Sequence, residues 1–143
     1  MRYAYPCELH PEDPSGFYVT FPDVPGALTG GEDEAEALHL AEDALVAILA
    51  AHVRGSEPLP NPSPAAPGQH LVPVSPLIAA KLALYTAMRE QGVTDAELAR
   101  RLGASVDTVR KLVDPDYGSH LTPVMNALHA VGRALVVEDA APA

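Results

Sequence analysis

The stretch Leu98-Ala99-Arg100-Arg101-Leu102-Gly103-Ala104-Ser105-Val106-Asp107-Thr108-Val109-Arg110-Lys111-Leu112 decides how the second half of the chain is read. Two helices that meet at a steep angle need a small residue where their backbones nearly touch. They also need a glycine four positions on for the turn and a branched apolar residue six beyond that. Ala99, Gly103 and Val109 stand at that spacing, and Leu98, Leu102 and Leu112 supply a buried side. Thr94-Asp-Ala-Glu97 has the form of a capping box for the first helix, and Ser105 is a cap for the second. The pattern predicts a helix-turn-helix. Ser105, Val106, Thr108, Arg110 and Lys111 fall on or beside the outward face of its second helix, the face that enters a DNA major groove, and Arg100 and Arg101 are placed to hold the phosphate backbone.

On either side of this stretch the pattern stays helical. Ser75-Pro76 opens a helix with Ile78, Leu82, Tyr85 and Met88 as its apolar stripe, and Gly92 ends it. Thr122-Pro123 opens a last helix over Val124 to Val131, stopped by Gly132. Ala134 to Glu138 reads as a final extended stretch, and its Ala134-Leu-Val-Val137 run is apolar and branched enough to pair with a second copy. Residues 75–143 are therefore expected to form an all-α domain for DNA binding and dimerisation.

Before it, residues 57–74 hold five prolines between Glu57 and His70, which remove backbone donors and favour extended geometry. This segment is expected to be a proline-rich linker, with His70-Leu-Val-Pro-Val74 as a candidate edge strand. Residues 1–56, or 1–74 if that strand belongs to them, read as a small α+β domain. Strands are expected over Arg2 to Leu9 and Phe17 to Phe21, where Phe17, Val19 and Phe21 share one face, and over Ala27 to Thr29, ending at Gly30-Gly31. A helix follows from Asp33 or Glu34 to Arg54. Leu38, Ala41, Leu45, Ile48 and His52 draw its stripe, Glu32, Asp33, Glu34 and Glu36 crowd its positive end, and Gly55 stops it.

Charge divides along the same line. The chain of 143 residues carries a net −10, but Met1–Ser75 has 2 basic and 11 acidic side chains, whereas Pro76–Val113 has a local excess of two positive charges. Two halves so different suit two different partners. The one cysteine, Cys7, excludes an intramolecular disulfide and a cysteine-based zinc site. No apolar run is long enough to span a bilayer and no signal-peptide core follows Met1, so a cytoplasmic protein with no membrane partner is expected. The histidines make no ligand pair, and no phosphate loop or nucleophile elbow is present. The strands offer only Glu8 and, just past one, Asp23 as carboxylates, too few for two-metal phosphoryl chemistry. No enzyme, metal or cofactor is expected.

Two resemblances sharpen these readings. Thr94 to Val113 with the following helix resembles the lambda-repressor-like helix-turn-helix domains. Gly16-Phe-Tyr-Val-Thr-Phe-Pro-Asp-Val-Pro-Gly26, then Gly30-Gly-Glu-Asp-Glu-Ala-Glu-Ala-Leu38, resembles the HicB antitoxins, and the order of the two matches that family's subgroup with a helix-turn-helix tail. The resemblance implies a partial RNase H-like fold for the first domain, with three to four strands and one helix. It also implies an antitoxin that blocks a small basic RNA-cleaving HicA toxin and represses its own operon by binding operator DNA. Because one recognition helix reaches one half-site, a homodimer or tetramer is expected on the operator. Glu32, Asp33, Glu34 and Glu36 are then the candidate toxin-binding residues. A second reading is a stand-alone helix-turn-helix regulator whose first domain senses a small ligand.

Overall fold

A computed structural model describes residues 1–12 and 14–141; the last two residues of the expected 75–143 domain lie outside the described residues. Among the described residues nine elements follow in order: β1 Ala4–Pro11, β2 Phe17–Thr20, β3 Leu28–Gly31, α1 Glu34–Arg54, β4 His70–Pro73, α2 Pro76–Gln91, α3 Asp95–Leu102, α4 Val106–Val113 and α5 Leu121–Ala130. The four strands form one antiparallel sheet in the order β3-β2-β1-β4. The chain folds as two compact units. One joins Arg2–Ala51 to Pro60–Val74, and the other joins His52–Leu59 to Ser75–Asp139.

In the sheet unit, β1 is shared between its neighbours. Ala4–Cys7 pairs with β4 and Glu8–Pro11 pairs with β2. Period-2 alternation sends Tyr5, Cys7 and Val19 inward, where they are fully buried with Val24, Ala37, Ala41, Leu45 and Leu49. The first strand starts and ends two residues later than its expected span, because pairing with β2 carries it through to Pro11. The third strand is also displaced and takes in both glycines as pairing residues. Its reason is steric. A Cβ on Gly31 would lie 2.5 Å from the Ala37 nitrogen and 2.9 Å from the Glu36 carbonyl carbon, and one on Gly30 would lie 2.9 Å from the Phe17 oxygen.

The buried line of α1 is Ala37, Ala41, Leu45 and Leu49, at steps of four, with Val46, Ala50 and Val53 beside it. Leu38, Ile48 and His52 of the expected stripe are only half-buried. The helix has apolar residues on most of its circumference, so its pattern admits neighbouring rotations, and the close approach at Gly31 selects the one that turns Ala37 inward. The proline segment is tied down at several points. Tyr5 Oη donates to the Pro60 carbonyl at 2.8 Å, and Asp23 accepts from the Ser63 amide at 2.7 Å and its hydroxyl at 2.9 Å.

The helical unit centres on α2, whose Ala80, Leu82, Leu84, Ala87 and Met88 are all buried. Ser75 occupies its N-cap without a side-chain hydrogen bond, and Gly92 ends it in the left-handed conformation. The last turn of α1 and the residues after it belong here, held by Tyr85 Oη donating to the Glu57 carbonyl at 2.6 Å and Arg89 to that of Ser56. The last helix begins at Leu121, three residues before its expected start, with His120 as N-cap. Pro123 is tolerated there because the first four amides of a helix have no intrahelical partner. After Gly132 no strand is present among the described residues. The expected extended stretch leaves Val136 and Val137 88% and 68% exposed.

Candidate functional site

The helices α3 and α4 are eight residues each and are joined by Gly103-Ala104-Ser105. Gly103 has φ +64°, which a side chain would disfavour, and its amide closes the end of α3. The Thr94 hydroxyl accepts from the Glu97 amide at 3.1 Å and the Ser105 hydroxyl from the Thr108 amide at 3.1 Å. Leu98, Ala99, Val109, Leu112 and Val113 are buried, so the two helices pack through the positions singled out by spacing, whereas Leu102 is half-buried.

That packing leaves a polar surface outward. Thr108, Arg110 and Lys111 are exposed on α4, Ser105 is exposed at its cap, and Val106 is half-buried. Arg110 Nε lies 3.5 Å from the Asp95 carboxylate, and Lys111 Nζ lies 3.1 Å from that of Asp107. Arg100 and Arg101 share one carboxylate. Glu97 Oε1 accepts from Arg100 at 2.6 Å and from Arg101 at 3.0 Å, and Arg101 also reaches the Ala130 carbonyl at 3.1 Å. The capping box is thus half-formed, since the Glu97 side chain turns to these arginines.

Those hydrogen bonds, the Arg100 one foremost and then that of Arg101, draw the Glu97 carboxyl down to about 2. A depressed carboxyl contributes stability that is present above its unfolded value, near 4.3, and lost as pH falls toward 2. A side-chain NMR titration is expected to place the Glu97 midpoint near 2 and, in Arg100→Ala, to move it back toward the ordinary range. A midpoint unaltered by that substitution would reject the assignment.

The acidic candidates occupy the entry to α1. Glu32, Asp33, Glu34 and Glu36 are all exposed, and Asp33 Oδ1 accepts from the Glu36 amide at 2.8 Å, which makes Asp33 the helix cap. On the strands, Glu8 accepts from Gln69 Nε2 at 3.1 Å and Asp23 is engaged by Ser63. Among the described residues, no group of three histidine, cysteine or carboxylate side chains could hold a metal ion.

Burial pushes the Cys7 thiol up to about 11. At pH 8 the native thiol is expected to react with iodoacetamide about 100-fold more slowly than in the urea-unfolded chain, because only the thiolate attacks. Equal rates would show that β1 opens freely.

Spacing missed Lys81 and Tyr117. Lys81 is 1% exposed, and its Nζ donates to the Asp114 carbonyl at 2.9 Å and to that of Tyr117. Desolvation lowers its pKa, with the Asp114 carboxylate acting in the opposite sense. The signal was present in the sequence. Lys81 stands between Ile78 and Tyr85 on the apolar stripe itself, where a charged side chain requires buried partners.

The model of the HicB-like antitoxins of bacterial toxin-antitoxin systems matches residues 4–83. The chain belongs to the HicB-like antitoxin family. Within that family, Antitoxin HicB 2 of Photorhabdus laumondii is 37% identical over 135 residues, 94% of each chain. Antitoxin HicB of Escherichia coli K12 is 34% identical over 92% of this chain and 95% of its own. Antitoxin HicB of Pseudomonas fluorescens is 32% identical over 96% and 94%. The HicB-like match ends inside α2, so it takes in the whole sheet, whereas the HicB relatives extend the likeness across α3, α4 and α5. No helix among the described residues is long and apolar enough to cross a membrane.

Proposed function

We propose that this chain is the antitoxin of a HicA/HicB-type pair and acts through both of its units. The sheet unit, a partial RNase H-like fold, binds and blocks a small basic RNA-cleaving toxin. The exposed acids Glu32, Asp33, Glu34 and Glu36 face that toxin's positive surface, and Asp33 also caps α1. The α3–α4 pair is a lambda-repressor-like helix-turn-helix that places α4 in the major groove of operator DNA, with Ser105, Val106, Thr108, Arg110 and Lys111 toward the bases and Arg100 and Arg101 on phosphates. Because one such helix covers one half-site, the operator is bound by a homodimer or tetramer, joined through the exposed Val136–Val137 segment. The protein has no RNA-cleaving activity of its own and needs no cofactor; Asp23, the carboxylate beside the strands, is taken up by Ser63.

Family membership across both units carries this reading. The test is a search beside the gene for a short reading frame that encodes a basic protein, followed by co-expression of the two. Co-purification, loss of that protein's RNA cleavage on adding this chain, and binding of the complex to the upstream promoter are expected. A neighbour that neither co-purifies nor is inhibited would favour the stand-alone regulator instead.

A further inference from the structure

Lys81 is an unusual core residue for a helix that otherwise buries alanine, leucine, tyrosine and methionine. Taking an ammonium out of water costs several kcal/mol unless its N–H groups find partners. Here they find two backbone carbonyls, of Asp114 and Tyr117, in the turn that follows α4. The same Nζ lies 5.7 Å from the centre of the Tyr117 ring. A second ammonium, Lys111 Nζ, lies 5.2 Å from that ring centre, close enough for a cation–π attraction.

These contacts run in one line from the centre of the helical unit to its surface. Lys81 fixes the backbone of the turn, the turn carries the Tyr117 ring, and the half-exposed ring faces the ammonium head of Lys111. Without the ring, the long Lys111 side chain keeps its exposed ion pair with Asp107, one helical turn earlier. Ordering it before DNA arrives removes part of the entropy cost of binding.

We propose that Lys81 and Tyr117 are positioning residues that set Lys111 on the DNA-facing surface of α4. The proposal rests on the helix-turn-helix reading above. Operator affinity of the full chain is measured for Tyr117→Leu, Lys111→Met and the double variant, and the Lys111 side-chain methylene shifts are recorded by NMR in the free protein. Tyr117→Leu is expected to weaken operator binding about 3-fold to 10-fold in the native background and not at all once Lys111 is methionine. The Lys111 methylenes are expected to be shifted upfield by the ring and to lose that shift in both Tyr117→Leu and Lys81→Met. If Lys81→Met does not fold, the substitution at the exposed ring carries the test alone. Losses that simply add, or Lys111 shifts unchanged by Tyr117→Leu, overturn the proposal while leaving α4 as the recognition helix. An operator affinity unmoved by Lys111→Met overturns the proposal alone, because α4 itself is tested by replacing Thr108, Arg110 and Lys111 together.

Discussion

Replacing Thr108, Arg110 and Lys111 together by alanine is expected to weaken operator binding at least about 100-fold and to leave toxin binding unchanged. A good bidentate contact to a base is worth about 1–3 kcal/mol of discrimination, and each lost phosphate contact lowers the salt slope by about one unit. Against these stand the ion pairs that hold the same side chains in the free protein. Arg110 is 70% exposed beside Asp95 and Lys111 is 47% exposed beside Asp107, and exposed pairs contribute only about 0–1 kcal/mol. On the proposed reading, DNA contacts would outweigh these ion pairs for both side chains. Arg110→Ala alone separates two modes. If Arg110 reads a guanine, affinity falls on the operator and little on random DNA; if it touches phosphate, both fall together. Fluorescence anisotropy at two salt concentrations measures this, with toxin titration as the control. Undiminished operator binding by the triple variant would place the recognition surface elsewhere.

The second large effect is expected at Gly31. Its substitution by alanine drives a methyl group to 2.5 Å from the Ala37 nitrogen and 2.9 Å from the Glu36 carbonyl carbon. Both obstacles are backbone atoms in the first turn of α1, so no rotamer change relieves them. Forcing an extra carbon into a packed site typically costs about 1–3 kcal/mol, and a rigid backbone obstacle belongs at the upper end, about 3 kcal/mol. Gly118→Ala is the matched control. Its Cβ meets nothing within 4 Å, and a change below about 0.5 kcal/mol is expected. Urea unfolding followed by circular dichroism gives both values. If Gly31→Ala proves as stable as the control, the start of α1 moves away from β3 at little cost.

The sequence is most legible where it is locally punctuated. Thr94, Gly103 and Ser105 each act on residues three or four positions away, so the boundaries of α3 and α4 follow from short-range hydrogen bonding alone. The rotation of α1 is different. Alanines on most of its faces fit several stripes, and the one realised depends on Gly31 reaching Ala37, a contact between elements that periodicity does not contain. Lys81 shows the same limit at the candidate site. Its place on an apolar stripe is visible in the sequence, but its partners at Asp114 and Tyr117 lie 33 and 36 positions away and emerge only on folding.

The exchange of segments between the two units determines what a protease would release. The chain from its start through Leu59 contributes His52–Leu59 to the helical unit, whereas the part after the proline segment contributes β4 to the sheet unit. A single cut between Asn61 and Gly68 therefore does not yield one intact sheet fragment and one intact helical fragment. Each piece carries off a portion of the other's fold. Free toxin-binding activity would follow from such a cut only if the sheet survived the loss of β4 and exposure of the Ala4–Cys7 edge. A cut in this segment is accordingly expected to lower the stability of both pieces, which limited proteolysis followed by mass spectrometry would show as the absence of a persistent half-length fragment.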